Sequence, residues 1–187
     1  ANGVYDVFAV PLDGDYDIDI LGAVDWAGEI VWWENDGKQN FTRHLVQDAF
    51  ASATAIEAAD IDRDGDLDLV GAACDAKKVL WWENNASQVF TAHVISDTLN
   101  CPMDIYVFDI DLDADLDVVS GAHYPDDPDN GLLGDAVVWW ANDGAGNFTV
   151  TVVDTSFDGV YGVWVADVNG DAWPDILGAA HDGGEVA

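Results

Sequence analysis

The chain has 187 residues, of which 37 are acidic and five are Lys or Arg, for a formal net charge of −32. A field of that sign repels phosphate backbones and anionic lipid, which excludes nucleic-acid and membrane-surface roles, and 50% hydrophobic with 11% aromatic residues excludes an acidic disordered chain. No apolar run approaches the roughly 20 residues that cross a bilayer, residues 1–20 lack the basic start and apolar stretch of a signal peptide, and two cysteines are too few for a disulfide scaffold.

Taken in chain order, the sequence writes one unit four times. The first copy is PLDGDYDIDILGA at Pro11–Ala23, followed by Trp32-Trp33, an Asn35-Asp36-Gly37 turn and Phe41-Thr42. The second is DIDRDGDLDLVGA at Asp60–Ala72, followed by Trp81-Trp82 and Phe90-Thr91. The third is DIDLDADLDVVSGA at Asp109–Ala122, with Trp139-Trp140, Asn142-Asp143-Gly144 and Phe148-Thr149 after it. A fourth, DVNGDAWPDILGA, occupies Asp167–Ala179. Pro11, Asp60 and Asp109 keep one interval, and the longer step to Asp167 is accommodated in Tyr124–Asp135.

Short apolar runs between turn formers are the pattern of strands. In the second copy, strand A falls near Thr54–Ala59, B near Leu67–Cys74, C near Val79–Glu83 and D near Phe90–Ile95. Four short antiparallel strands per repeat is the arithmetic of a propeller blade. The expectation is an all-β propeller segment over 1–187, in repeats of about 1–50, 51–99 and 100–157 with a partial one at 158–187. That makes about 3.5 blades, and closed propellers hold about four to eight. The remaining blades are therefore expected from the same longer chain or from identical chains. Adjacent tryptophans on a strand point to opposite faces, so each pair is expected to place one indole against each neighbouring blade. An aromatic sugar platform is the sharper alternative. His44 and His93, at equivalent positions of strand D, read as structural.

Each acidic loop joins strand A to strand B. Carboxylates at alternate positions with glycine at the sixth let a tight turn wrap one hard cation, with side-chain oxygens at positions one, three, five and nine and a carbonyl at seven. Crowded carboxylates with a carbonyl suit calcium better than magnesium. The alternative is a set of solvated turn aspartates.

The Asp-x-Asp-x-Asp-Gly-x-x-Asp loop, repeated with tryptophan pairs and an Asn-Asp-Gly turn, resembles the FG-GAP/VCBS repeat family, whose blades also build the integrin α-chain propeller. The resemblance implies about four Ca2+ sites. In the second loop they use Asp60, Asp62, Asp64, Asp68 and the Asp66 carbonyl; in the third, Asp109, Asp111, Asp113, Asp117 and the Asp115 carbonyl. The fourth offers Asp167, Asn169, Asp171, Asp175 and the Trp173 carbonyl. The first offers Asp13, Asp15, Asp19 and the Asp17 carbonyl, and is expected to be weakest because Pro11 replaces a ligand. Tyr16, Ala114 and Ala172 stand where the pattern prefers glycine, so those loops must turn by other means or under strain.

The register at the end of strand B, opposite the loops, does not repeat. It holds Asp25, Cys74, His123 and His181, with Trp26, Tyr124 and Asp182 beside them, and the Pro125–Asp135 insertion leaves from it. Departures from a repeat are where binding specificity resides, so Asp25, Trp26, His123, Tyr124, His181 and Asp182 are the candidate ligand residues; a solvated acidic loop beside two surface histidines is the plainer reading. Cys74 ends strand B of the second repeat and Cys101 begins strand A of the third, which permits a disulfide; two separate buried thiols are the alternative. No Ser-His-Asp, His-Glu-x-x-His, phosphate-loop or Cys-x-x-Cys pattern occurs. The expected function is a secreted or cell-surface calcium-binding module for adhesion to a glycan or protein, not a catalyst. Two alternatives stay open: a sugar-active lyase or dehydratase-type propeller domain, and a purely structural assembly unit.

Overall fold

The computed structural model describes residues 3–125 and 130–181, and its regular structure is entirely β. The first sheet contains β1 (Val4–Val10), β2 (Asp19–Val24), β3 (Glu29–Asn35) and β4 (Phe41–Gln47). The second contains β5 (Ala53–Ala59), β6 (Asp68–Ala73), β7 (Lys78–Asn84) and β8 (Phe90–Ser96), and the third β9 (Pro102–Phe108), β10 (Asp117–Ala122), β11 (Val137–Asn142) and β12 (Phe148–Asp154). A two-stranded sheet pairs β13 (Val160–Ala166) with β14 (Asp175–Ala180). Within the sheets all strand pairings are antiparallel and follow chain order, so each sheet is a meander.

Packing between sheets explains the composition of the strands. In the second and third sheets the second strand is covered on both faces; all six residues of β6 and of β10 are buried. Between the first and second sheets lie Leu21, Ile30, Trp32, Ile56, Leu69 and Trp82. Between the second and third lie Ile61, Val70, Trp81, Ile105, Val118 and Trp140, and Trp139 joins Val119, Val137, Val160 and Val163 against the fourth. The first tryptophan of each pair thus faces the following sheet, and Trp82 and Trp140 face the preceding one, as strand alternation requires. Glycine makes room for the rings: a Cβ on Gly71 would lie 2.9 Å from the Trp82 ring, and one on Gly22 2.7 Å from that of Trp33. His44 stacks on Trp32 at 4.5 Å and His93 on Trp81 at 4.6 Å. Their Nε2 atoms meet Glu34 and Glu83 at 2.7 and 2.9 Å, which accounts for the histidine recurring at this register.

The first strands β1, β5, β9 and β13 stand side by side in that order, and carboxylates cross each gap between them. Asp6 Oδ2 accepts the Ile56 N–H at 3.0 Å, Glu57 Oε2 the Val107 N–H at 2.9 Å, and Asp104 Oδ2 the Val163 N–H at 3.0 Å. A disulfide joins Cys74 to Cys101 across the junction of the second and third sheets, in a buried cluster with Met103. Every first strand also carries a β-bulge near its start, at Tyr5, Thr54, Met103 and Tyr161, which turns the extra residue out of the ladder.

Candidate metal loops and the opposite rim

The four acidic loops fold alike. The ninth residue is the anchor: Asp19, Asp68, Asp117 and Asp175 each accept the N–H of the loop's second residue through Oδ2, at 2.9–3.1 Å. In the first three loops the other oxygen accepts the N–H of Asn35, Asn84 or Asn142, at the end of the third strand. The third residue accepts the N–H of the fifth, and the fifth that of the seventh, as in the Asp64 N–H to Asp62 and Asp66 N–H to Asp64 bonds at 3.2 and 2.9 Å. The first residue accepts the N–H of the sixth in the second, third and fourth loops, from Gly65, Ala114 and Ala172. Pro11 has no carboxylate to do this, so the first loop lacks that closure.

Glycine proves dispensable at the sixth position. Tyr16, Ala114 and Ala172 adopt φ of 72°, 77° and 70°, the left-handed region that Gly65 occupies at 96°. A Cβ there costs roughly 1–2 kcal/mol, which the side-chain to backbone bonds around it offset.

These bonds leave carboxylate oxygens converging. Asp60, Asp62 and Asp68 bring one oxygen each within 4.8 Å of one another, and so do Asp109, Asp111 and Asp113. In each triplet the first aspartate uses Oδ2 for the turn, while Oδ1 of Asp60 and of Asp109 is buried with no hydrogen-bond partner. A buried anionic oxygen without a partner is costly, and a cation held by such a triplet removes the cost. Burial pushes the Asp68 carboxyl up to about 6, with the Asn84 and Ile61 N–H groups opposing it. Burial also raises Asp62, with Asp64, Glu83 and Asp60 adding to the rise, and Asp111 and Asp117 are raised mainly by burial too. Asp167 is fully exposed and is lowered by the Ala172 and Gly170 N–H groups. Among the described residues, the second and third loops therefore have the tightest donor sets.

On the opposite side, the His123 N–H donates to the Cys101 carbonyl at 3.0 Å, so the disulfide-bearing segment positions this histidine. Its ring contacts Tyr124 at 4.9 Å and Tyr161 at 4.6 Å, and Tyr161 contacts His181 at 5.1 Å. His123 Nδ1 is buried without a hydrogen-bond partner. Tyr161 was not legible in the sequence, because the β-bulge that aims it has no signature in a hydrophobic pattern. Asp25 and Trp26 lie apart from this cluster, lining an open depression with Ser52 and Asp75, and Trp26 is 80% exposed. Tyr5 connects the two areas, its hydroxyl raised by burial and then by Tyr161 and Asp25. Asp182 lies outside the described residues. The end of the insertion folds back at Leu133, which donates to Thr98 and accepts from Asn100, both at 2.7 Å.

Between the first strands is a cavity of about 440 Å³ lined by Asp6, Glu57, Asp104, Phe8, Tyr106 and Trp164. Glu57 is pushed up to about 7, chiefly by burial, with Asp104 and Asp6 adding to the rise and the Val107 N–H opposing it.

Residues 12–71 match the family model of the FG-GAP-like repeat, a stretch from the first acidic loop through the second and into β6. The matched stretch is 60 of the chain's 187 residues. No curated protein matches it.

Proposed function

We propose that this chain, with its FG-GAP-like repeat, is a calcium-stabilised β-propeller segment that works outside the cell as a binding or adhesion module. Its ligand, a glycan or a protein, is taken on the rim opposite the metal loops. The observation that carries the calcium reading is the pair of buried, unpartnered oxygens, Asp60 Oδ1 and Asp109 Oδ1, each in a carboxylate triplet. The donors of the second loop would be Asp60, Asp62, Asp64, Asp68 and the Asp66 carbonyl, those of the third Asp109, Asp111, Asp113, Asp117 and the Asp115 carbonyl. The first and fourth loops would hold the ion with fewer close carboxylates. The ion's contribution is electrostatic, since it neutralises oxygens that otherwise repel one another within a chain of charge −32. The propeller reading is supported by the meandering four-stranded sheets stacked through their tryptophans, and the extracellular reading by the disulfide.

Ligand binding is proposed at Tyr161, His123, Tyr124 and His181, where ring faces and a buried unpartnered nitrogen suit recognition. The test of the metal reading is calorimetric titration of chelator-treated protein with calcium, beside a thermal melt. Several sites and a higher melting temperature are expected. Asp62→Ala should remove about 2 to 3 kcal/mol when calcium is near a hundred times Kd, and Asp13→Ala less. Melts that coincide with and without chelator overturn the reading.

A further inference from the structure

We propose that the second and third acidic loops form one coupled two-cation unit, while the first takes its cation alone; this rests on the calcium reading above. Two contacts carry it. Arg63, the fourth residue of the second loop, reaches across to pair with the carboxylate of Asp115, the seventh residue of the third. It is the only basic residue in the four loops; the corresponding positions hold Gly14, Leu112 and Gly170. Independently, Asn142 Nδ2 donates to the Ile61 carbonyl at 2.8 Å and to the Leu116 carbonyl at 3.1 Å. One side-chain amide thus holds the main chain of both loops. Its counterparts Asn35 and Asn84 donate within their own repeats, to Ile18 and Leu67.

Ile61 sits between the candidate ligands Asp60 and Asp62, and Leu116 between Asp115 and Asp117. A cation that fixes the second loop therefore fixes Ile61 and Arg63, and through them the backbone that carries the third loop's carbonyl ligand. The second cation then meets a loop already ordered and binds with a smaller entropy cost. Repulsion between the two ions acts the other way, but the carboxylates around each ion screen it. The net effect is positive coupling, which must be reciprocal.

Calcium titration of the full chain, followed through the amide resonances of Gly65 and Ala114, reads the loops separately, because each amide closes its own loop onto the first aspartate. Asp62→Ala disables the second loop. The expected result is a roughly tenfold weaker calcium response at Ala114. In an Arg63→Gln background, or with Asp115→Asn breaking the pair from the other side, the effect of Asp62→Ala should fall to about threefold, the remainder belonging to Asn142. An undiminished calcium response at Ala114 in Asp62→Ala overturns the coupling and leaves the calcium reading standing. An effect that stays tenfold in both backgrounds overturns the assignment to Arg63. If neither amide responds to calcium in the unmutated chain, the calcium reading fails and the coupling fails with it.

Discussion

On one side of the molecule, four loops repeat one turn, down to the left-handed sixth residue in Tyr16, Gly65, Ala114 and Ala172. On the other side, equivalent positions at the end of the second strands hold Asp25, Cys74, His123 and His181, and each does something different. Asp25 lines a depression, Cys74 is covalently linked, and His123 and His181 flank Tyr161. The repeated side uses its side chains to close turns and to gather carboxylates, work that every repeat needs. The varied side is free of that demand and can be specialised one position at a time. The stabilities of the two sides should accordingly respond to different treatments.

Breaking the disulfide should have the largest effect. With Cys74 and Cys101 separated by 27 residues, loop-closure entropy gives roughly 3 to 4 kcal/mol, or about 10 °C in a chain of this size. The Cys74→Ser, Cys101→Ser pair should lose this whether or not calcium is present, whereas chelation should act on the loop side in both proteins. A loss that vanishes in chelator would mean that the two sides are not independent.

A smaller, pH-dependent change is expected at Glu57, which belongs to neither side. Its folded pKa of about 7 lies above the ordinary 4.5, so between those values the folded chain holds a proton that the unfolded chain has released. The group's contribution is complete below about 4.5 and is lost as pH rises through 7. Glu57→Gln keeps an oxygen for the Val107 N–H and removes the charge. It should raise the melting temperature by about 7 °C at pH 8 and leave it unchanged at pH 4. Equal melting shifts at both values would exclude the burial of charge as the cause.

The smallest effect on stability is expected from Tyr161→Ala, because the residue is bulged out of its strand and 40% exposed. Its melting curve should stay within about 1 °C. Retention on immobilised glycans or on cell-surface protein, compared with the unmutated chain, should fall by about tenfold. Full retention by the variant would separate this cluster from ligand binding.

Much of the loop side was legible because a repeat states each position several times. The acidic ladder, the strand that follows it and the tryptophan pair recur together, and local geometry then fixes where their side chains go: strand alternation alone assigns Trp81 and Trp82 to opposite faces. The sequence could equally suggest that a missing glycine would strain the loop. It could not reveal that the first aspartate's bond to the sixth N–H stabilises alanine in a left-handed turn, since that bond forms only when the loop closes.

What the sequence determined by itself was therefore the periodic part: all-β structure, four acidic loops in register, and the alternation that packs one sheet on the next. The tertiary structure decided the contacts that join residues distant in the chain and without a repeated partner. Asp6, Glu57 and Asp104 are ordinary acids in sequence, and each becomes a link between sheets only because a neighbouring strand presents an N–H to it. Arg63 and Asp115, and Asn142 and Ile61, meet for the same reason. Periodicity encodes interactions that depend on local spacing, whereas contacts made once depend on how whole sheets are placed, and that placement is the sum of all the packing between them.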